Sequence, residues 1–271
     1  MLNVLRVTRL LLLLAWTLIL APWQLASVLL HLPTQRWIPV LYHRVVAHIL
    51  HLTIEVRGAP ARERPVLFAA NHSSWLDIVV LSAIAPVSFI AKAEIASWPV
   101  FSVLAKLQRS VFIERKRGKA REGVSGIQAR LLAADSLVLF GEGGTGDGNT
   151  VLPFKSSMFS AAESVVDGRT PLVQPVSVAY THLDGFPLGR RARYRLTWYG
   201  RMSLPSHIWG VLGQGNARVV VQFHPPVRIA DFPSRKELAV YCQRAVAQSH
   251  SRALSGRPLP APSPSIAPGA A

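Results

Sequence analysis

The stretch Val-Leu-Phe-Ala-Ala-Asn-His-Ser-Ser-Trp-Leu-Asp-Ile-Val-Val-Leu, residues 66–81, joins two apolar runs through a polar segment. The first run, at 66–70, is typical of a buried strand, and the second, at 78–81, is typical of a buried helix. Ser73 or Ser74 is the predicted N-cap of that helix, because serine hydroxyls accept hydrogen bonds from the first helical turn. A strand that passes directly into a helix predicts an α/β fold, with the polar segment at the carboxyl end of the strand, where such folds bind ligands.

His72 and Asp77 lie in this polar segment, and their spacing predicts that they meet only if the chain turns between them. In one continuous helix the two side chains would lie about 140° apart, at 100° per residue. At a strand-to-helix junction Asp77 can instead reach back to one imidazole nitrogen, which leaves the other nitrogen available as a general base. Two simpler interpretations stay open: Ser74 and Asp77 form a capping box, and His72 is a junction residue without a catalytic role.

The rest of the chain alternates between strand and helix patterns, which predicts a mixed, largely parallel sheet flanked by helices. Predicted strands lie at 52–56, 66–70, 87–91, 110–113, 136–140, 172–180, 193–199 and 217–223. Further predicted helices lie at 92–108 with a kink at Pro99, at 124–132, at 156–166 and at 233–252.

The N-terminal 51 residues predict a helical hairpin that associates with a membrane. The apolar run at 10–32 is long enough to cross a bilayer, which needs about 20 residues, and a second apolar run follows at 37–52. Arginines flank the first run on both sides, so the distribution of positive charge favours no single crossing. We therefore expect both runs to enter one leaflet, with breaks at Pro22 and Pro33. A signal peptide cleaved near Ser27 is the alternative.

The composition indicates a membrane-associated protein with an anionic partner. Half of the 271 residues are hydrophobic, 16% are charged and the formal net charge is +16. The mean hydropathy is +0.28. An excess of Lys and Arg suits nucleic acid or an anionic bilayer, and the apolar composition favours the bilayer. The single cysteine, Cys242, excludes an internal disulfide and a cysteine-based zinc site.

Three regions are expected along the chain: membrane-associated helices at 1–51, an α/β domain at 52–254, and a tail at 255–271. The tail is rich in Pro, Ala, Gly and Ser, a composition typical of disorder. His43, His48 and His51 lie in the second apolar run, and we interpret them as interfacial residues rather than as a metal site.

A glycine-rich loop, Gly-Glu-Gly-Gly-Thr-Gly-Asp-Gly at 141–148, follows the predicted strand at 136–140. Its glycine spacing matches the dinucleotide fingerprint, but that fingerprint requires a helix to begin inside the loop, and Pro153 postpones any helix here. A Walker phosphate loop is excluded because Asp147 stands where that loop needs lysine. A nicotinamide-dependent oxidoreductase is therefore a weak alternative.

Four segments, in order along the chain, resemble the motifs of the 1-acylglycerol-3-phosphate acyltransferase family. The resemblance covers about residues 52–226. The segments are Asn-His-x-Ser-x-x-Asp at 71–77, Val-Phe-Ile-Glu-Arg at 111–115, Phe-Gly-Glu-Gly-Gly-Thr at 140–145 with Leu-Pro-Phe-Lys-Ser-Ser at 152–157, and the apolar Pro-containing run at 172–180. Two positions depart from the family pattern: Gly141 stands in place of proline and Gly144 in place of the first threonine.

The resemblance implies a membrane-associated O-acyltransferase that moves a fatty acyl group from acyl-carrier protein or acyl-CoA to the free hydroxyl of a lysolipid. His72 oriented by Asp77 would be the catalytic pair, and no metal or organic cofactor is implied. The residues expected to contact substrate are Arg115, Glu142, Gly143, Asn71 and Lys155.

The acceptor is left open between two lysolipids. Lysophosphatidic acid is the family's commonest acceptor and is ranked first, but the Gly-Asp-Gly at 146–148 and the segment at 152–157 also resemble lyso-ornithine lipid acyltransferases.

The expected location is the cytoplasmic face of the inner membrane, where thioester donors occur. A basic protein that binds membrane or nucleic acid without catalysis is the alternative of another class.

Overall fold

The structure, a computed structural model, describes residues 2–113, 120–165, 168 and 170–258, with the backbone alone at 120–125. Its centre is an eight-stranded sheet in the order β1-β8-β6-β2-β5-β3-β4, with β7 paired to β6. Strand β6 is antiparallel to β8 and β7, and the other neighbours on this path are parallel. The strands are β1 Leu52–Arg57, β2 Val66–Ala70, β3 Val87–Lys92, β4 Val111–Ile113, β5 Ser136–Phe140, β6 Leu172–Leu183, β7 Phe186–Pro187 and β8 Ala217–Phe223.

Helices cover both faces of this sheet, so the predicted mixed, largely parallel α/β fold is confirmed. The α-helices are α1 Leu2–Leu29, α2 Ile38–Ile49, α3 Leu76–Ile84, α4 Pro99–Leu107, α5 Ala120–Leu132, α6 Leu204–Leu212 and α7 Arg235–Leu254. Short 3-10 helices lie at Pro33–Arg36, Ala93–Ser97, Ser156–Glu163, Arg193–Arg195 and Ile229–Asp231.

Alternating side chains of the central strand divide the core into two layers. Val66, Phe68 and Ala70 belong to the hydrophobic cluster shared with α2 and α3. Leu67 and Ala69 belong to the cluster shared with α5 and α7. Strand β2 is therefore buried on both faces, as expected of a parallel strand covered by helices on both sides.

Helix α1 buries three polar residues, Arg9, Gln24 and Ser27, and leaves many of its large apolar side chains exposed. Arg9 donates to the backbone carbonyls of Leu212 at 3.1 Å and Gln214 at 2.6 Å, and Gln24 donates to the carbonyl of Leu107 at 2.7 Å. Its exposed side includes Leu2, Val4, Leu5, Val7, Leu11, Leu12, Leu14, Leu18, Ile19, Trp23, Leu25 and Leu29. By length and composition it is the one helix among the described residues that could cross a membrane.

Pro22 does not break this helix, so that expectation was wrong. The helix continues through Pro22 to Leu29 because contacts hold it on both sides: Trp16 donates to the carbonyl of Tyr42 at 3.3 Å, and Gln24 is bound as described. Proline inside a helix facing an apolar medium is tolerated where neighbouring groups support the backbone. The expected break at Pro33 is confirmed, since the chain turns before it and Pro33 begins a 3-10 helix.

The predicted strand at 193–199 was also wrong. This segment forms the 3-10 helix Arg193–Arg195 and a loop, because the Arg193 side chain turns inward and donates to the carbonyl of Leu188 at 2.6 Å and to Asn149. Helix α6 and strand β7 were not predicted. The expected helix at 92–108 is divided into a 3-10 helix and α4, which begins at Pro99.

Asp135, immediately before β5, joins three separate segments through their arginines. Its carboxylate lies 2.8 Å from Arg109 Nη2, 3.1 Å from Arg36 Nε and 3.1 Å from Arg130 Nε. Arg36 lies between α1 and α2, Arg109 lies just before β4, and Arg130 lies in α5. Only 4% of the Asp135 side chain is exposed, so this contact fixes the N-terminal helices to the domain through a buried charge.

Replacement of this carboxylate tests that role. Asp135→Asn leaves the largely buried guanidinium groups of Arg109 and Arg130 without a compensating charge, and we expect the free energy of unfolding in detergent micelles to fall by about 3 kcal/mol. The control is Glu163→Gln, which removes the exposed partner of Arg235 and should change stability by less than about 1 kcal/mol. Equal stability of the two variants would contradict a structural role for Asp135.

Candidate active site

The carboxyl ends of β2 and β5 and the middle of β6 meet at one edge of the sheet. Strand β2 is parallel to both neighbours, with Ala70 opposite Phe140 and Val176. The segment after β2 is held to the loop after β5 by two backbone hydrogen bonds, from Gly141 N–H to Ala70 O at 3.0 Å and from Gly146 N–H to His72 O at 2.8 Å. The polar segment and the glycine-rich loop, predicted separately, therefore form one site.

His72 and Asp77 are in contact at this edge. Nδ1 of His72 lies 2.9 Å from Oδ2 of Asp77; the histidine side chain is 17% exposed and the carboxylate is fully buried. A carboxylate can only accept, so Nδ1 carries the proton and Nε2 presents its lone pair. The imidazole ring is also stacked on Phe140, with ring centroids 3.8 Å apart and planes 12° apart. The ring is thus fixed with one basic nitrogen directed away from the carboxylate.

The Asp77 carboxylate accepts further hydrogen bonds from its surroundings. Oδ2 accepts from the backbone N–H groups of Ser73 at 2.8 Å and Ser74 at 2.9 Å, and Oδ1 accepts from the hydroxyl of Tyr180 at 2.7 Å. The predicted N-cap was displaced: Trp75 occupies that position, and helix α3 begins at Leu76. The reason is that Asp77, in the first turn, satisfies the backbone N–H groups before the helix.

The side chains of Asn71 and Glu142 form hydrogen bonds with backbone groups of neighbouring segments. Both ends of the Asn71 amide bind Val178, donating to its carbonyl at 3.0 Å and accepting from its N–H at 2.8 Å. The Glu142 carboxylate accepts from the N–H of His72 at 2.9 Å and of Leu152 at 3.3 Å. Burial raises the pKa of Glu142 to about 7, against the opposing effect of these hydrogen bonds. These two residues hold the histidine segment against β6 and against the loop.

Comparisons with known proteins bear on the family of this chain. Residues 53–179 match the family model described as Acyltransferase. A lyso-ornithine lipid O-acyltransferase of Brucella abortus is 42% identical over 91% of this chain and 94% of its own length. One of Rhizobium meliloti is 40% identical over 93% and 90%.

The chain belongs to the acyltransferase family.

Two further comparisons concern a second relative by sequence and a solved structure of the same fold. A 1-acyl-sn-glycerol-3-phosphate acyltransferase of Neisseria meningitidis is 34% identical over 66% of this acyltransferase and 68% of its own length. The crystal structure of the 1-acyl-sn-glycerophosphate (LPA) acyltransferase PlsC from Thermotoga maritima has the same fold, with a TM-score of 0.60 and 22% identity over 94% of this chain and all of that one.

The predicted family, fold and class of enzyme are therefore confirmed. As an O-acyltransferase of this family, the protein takes an acyl donor and a lysolipid acceptor. The dinucleotide interpretation loses its basis, because the next helix after the glycine-rich loop is a 3-10 helix that begins only at Ser156. No group of three or more His, Cys, Asp or Glu that could hold a metal occurs in the described part of the acyltransferase.

The other residues expected to contact substrate lie around the same loop or outside the described ranges. Gly143 has a positive φ of 72°, and its N–H donates to the carbonyl of Phe140 at 3.0 Å. Lys155 has an exposed side chain, and its N–H donates to the carbonyl of Gly141 at 2.8 Å. Arg115 lies outside the described residues, two positions after β4, which ends at the same edge of the sheet. Their roles in substrate binding stay predictions.

Two contributors to the site were missed from the sequence. Tyr180 lies in the fourth motif, which was interpreted only as an apolar strand, although a hydroxyl in a buried strand needs a partner. The segment between β7 and α6 was missed as well: the N–H of Trp198 donates to the carbonyl of Ser73 at 2.8 Å, and Thr197 Oγ1 donates to that of Asp147 at 3.2 Å. No local pattern could have indicated these contacts, because Ser73 and Asp147 lie far from Trp198 and Thr197 in the sequence.

The two glycines that depart from the family pattern stand in different surroundings. A Cβ built on Gly141 would lie 2.6 Å from the ring of Phe154, whereas one built on Gly144 meets nothing within 4 Å. We therefore expect Gly141→Ala to lower the free energy of unfolding by about 1–3 kcal/mol and to reduce turnover, because Phe154 must move. Gly144→Thr, which restores the family residue, should leave stability within about 0.5 kcal/mol. Denaturant unfolding in micelles measures both effects. A destabilised Gly144→Thr together with an unaffected Gly141→Ala would contradict the view that Gly141 is crowded by Phe154 and that Gly144 stands in open space.

Proposed function

We propose that the acyltransferase transfers a fatty acyl group from acyl-carrier protein or acyl-CoA to the free hydroxyl of a lysolipid at the cytoplasmic face of the inner membrane. The single observation that carries the catalytic part is the 2.9 Å contact between His72 Nδ1 and Asp77 Oδ2. This contact orients Nε2 as a base at the edge of the sheet where the conserved geometry of α/β folds places ligands.

The reaction follows from this arrangement. Nε2 of His72 takes the proton of the acceptor hydroxyl as its oxygen attacks the carbonyl carbon of the thioester, and the buried Asp77 carboxylate stabilises the imidazolium that forms. The carbon–sulfur bond then breaks, the thiolate leaves, and the imidazolium returns a proton to it. Backbone N–H groups of the loop at 141–148 are proposed to face the oxyanion of the tetrahedral intermediate. No acyl-enzyme is needed.

Lyso-ornithine lipid is the acceptor that we now place first. The relatives that match over about nine tenths of both chains are lyso-ornithine lipid enzymes, whereas the Neisseria enzyme named for 1-acyl-sn-glycerol-3-phosphate matches about two thirds. This reverses the order expected from the sequence alone, and lysophosphatidic acid stays the second candidate. The two head groups differ in charge: the first carries a carboxylate and an ammonium group, and the second carries a phosphate.

Arg115 is proposed to bind the anionic group of the acceptor, because it closely follows a strand that ends at the edge shared with His72. Lys155 is proposed to contribute a second positive charge from the exposed side of the loop. Gly143 is proposed to allow close approach of substrate to the loop backbone. We propose that Asn71 and Glu142 support substrate binding indirectly, through the backbone contacts that hold His72 in place.

Acyl transfer in mixed micelles tests these assignments. Purified enzyme is supplied with labelled acyl-carrier protein or acyl-CoA thioesters and with lyso-ornithine lipid or lysophosphatidic acid. We expect the highest kcat/KM with lyso-ornithine lipid, and His72→Ala should lower kcat by about 10²–10⁴-fold because it removes the general base. Arg115→Lys should lower acceptor kcat/KM about 10-fold or more without changing the KM of the donor, since lysine cannot form paired hydrogen bonds to an anion.

The matched control is His182→Ala, a half-buried histidine whose Nδ1 lies 2.9 Å from Thr181 Oγ1. Its turnover should stay close to that of the unmodified enzyme. Near-normal turnover of His72→Ala would remove the mechanism. A preference for lysophosphatidic acid with the His72 effect intact would change only the acceptor.

The N-terminal region is proposed to lie in one leaflet rather than to cross the bilayer. Arg9 and Gln24 fix α1 to the domain at points about 22 Å apart along the helix, at 1.5 Å per residue. A crossing helix needs about 20 residues free of the domain, and the fixed points leave no such segment. The apolar outer side of α1 then faces lipid along its length, and the exposed arginines lie near anionic head groups.

Depth measurements with nitroxide labels distinguish these arrangements. In a Cys242→Ala background, single cysteines at Leu11, Leu18, Leu25 and Leu29 place labels along the outer side of α1, where those side chains are exposed. We expect similar depths at all four positions in anionic vesicles, because the helix lies parallel to the membrane. Labels that lie on opposite sides of the bilayer centre would show a crossing helix. A mature protein that lacks its first residues, as read by mass spectrometry, would show a signal peptide.

A further inference from the structure

Strand β6 carries two successive contacts to the histidine segment, and the second involves a tyrosine to which no role has been given. The backbone of Val178 binds the side chain of Asn71. Two residues later, on the same face of the strand, Tyr180 places its hydroxyl 2.7 Å from Oδ1 of Asp77. Tyr180 is 1% exposed and belongs to the core cluster on the α3 side of the sheet, so its position is fixed by packing.

The two oxygens of Asp77 have different partners. Oδ2 accepts from His72 Nδ1 and from two backbone N–H groups. Oδ1 has one hydrogen-bond partner among the described residues, the hydroxyl of Tyr180. That hydroxyl donates to Asp77, and burial raises the pKa of Tyr180 well above its ordinary value of 10. The adjacent carboxylate raises this pKa further, against the opposing effect of a hydrogen bond with the Ser74 side chain.

We propose that Tyr180 is a positioning residue for acyl transfer, acting through Asp77. Its hydroxyl holds the plane of the carboxylate so that Oδ2 meets His72, and it withdraws part of the negative charge that stabilises the imidazolium. The proposal rests on the proposed role of His72 as general base. It deepens that role by assigning control of the proton affinity of His72 to a residue that does not touch either substrate.

Other ionisable groups near Asp77 must be separated from this effect. His72 contacts it directly, Glu142 lies close on the loop after β5, and His250 lies close on α7. Burial lowers the pKa of His250 to about 4, so it is neutral in the working range. Glu142 has a pKa of about 7 and titrates within that range, so a pH–rate profile alone would not isolate His72.

Tyr180→Phe removes the hydroxyl and keeps the ring. We expect kcat to fall about 10-fold, with the KM of donor and acceptor unchanged within about twofold, since the loss of one hydrogen bond to a charged group has about this size. The pH midpoint for carbethoxylation of His72 by diethyl pyrocarbonate, followed on its own peptide by mass spectrometry, should rise by up to about one unit, because Asp77 then attracts the imidazolium more strongly. This reagent modifies the unprotonated imidazole, so the midpoint reports on His72 and not on Glu142.

The control is Tyr42→Phe, which deletes a half-buried hydroxyl that lies 2.9 Å from Thr17 Oγ1, away from the site. This variant should leave both kcat and the midpoint unchanged. Incorporation of 3-fluorotyrosine at position 180 through an amber codon gives an independent arm if Tyr180→Phe folds poorly. The fluorine makes the hydroxyl a stronger donor with little change of shape, so the midpoint should move down.

A lower kcat in Tyr180→Phe without a change of midpoint would reduce Tyr180 to a packing residue and overturn the proposal. So would a midpoint that moves in the same direction in both Tyr180 variants. Loss of activity in His72→Ala with no effect of either Tyr180 variant would overturn this inference alone. Retained activity in His72→Ala would overturn the proposed function and this inference together.

Discussion

The buried carboxylate of Asp77 is the constraint on which the site depends. A fully buried charge is expensive unless hydrogen bonds replace the water that it has lost, and here the donors come from the polar segment itself, through His72, Ser73 and Ser74, and from β6, through Tyr180. Meeting this requirement brings the strand-to-helix turn and the neighbouring strand to fixed positions. The geometry that solvates Asp77 is therefore the same geometry that orients His72.

Glu142 has a comparable place in the loop after β5. Its two oxygens accept from the backbone N–H groups of His72 and Leu152, so one carboxylate joins the histidine segment to the chain that follows the glycine-rich loop. Burial is the main reason that the pKa of Glu142 is raised to about 7, and the nearby Asp77 carboxylate adds to the increase. Partial protonation of Glu142 near neutral pH limits its repulsion with Asp77. The site thus keeps two acidic side chains close together.

Local sequence patterns predicted the strands and helices whose buried positions form a continuous or regularly spaced apolar run. Strands β1, β2, β3, β5 and β8 and helix α7 were found within a few residues, because apolar runs between turn residues decide such elements. The contact of His72 with Asp77 was also predicted, since it depends on one short turn. The segment at 193–199 was not, because its alternation of basic and apolar residues imitates a strand, whereas the buried Arg193 and the bond from Trp198 to Ser73 decide its fold.

Tyr180 shows the same limit at the site. Its sequence neighbours predict a buried strand, and that is correct, but the partner of its hydroxyl is Asp77, 103 residues earlier. Such a pairing depends on the parallel register of β6 with β2, which no single segment contains. Arg115 falls outside the described residues, so its part in the site is the one motif assignment that rests on the sequence and on the position of β4 alone.

The buried polar side chains of α1 limit which other N-terminal helices the catalytic domain could accept. A conventional membrane anchor is interchangeable, because the catalytic domain makes no specific contacts with it. Here the domain offers backbone carbonyls of Leu212, Gln214 and Leu107 to polar side chains of the helix. Removal of the helix would expose those carbonyls together with the apolar surface beneath Leu13 and Trp16, and a foreign anchor would lack the matching donors. The N-terminal helix and the domain therefore complete each other's hydrogen bonds, and chimaeras that exchange the N-terminal region among relatives should tolerate only regions that keep an arginine and a glutamine at these two positions.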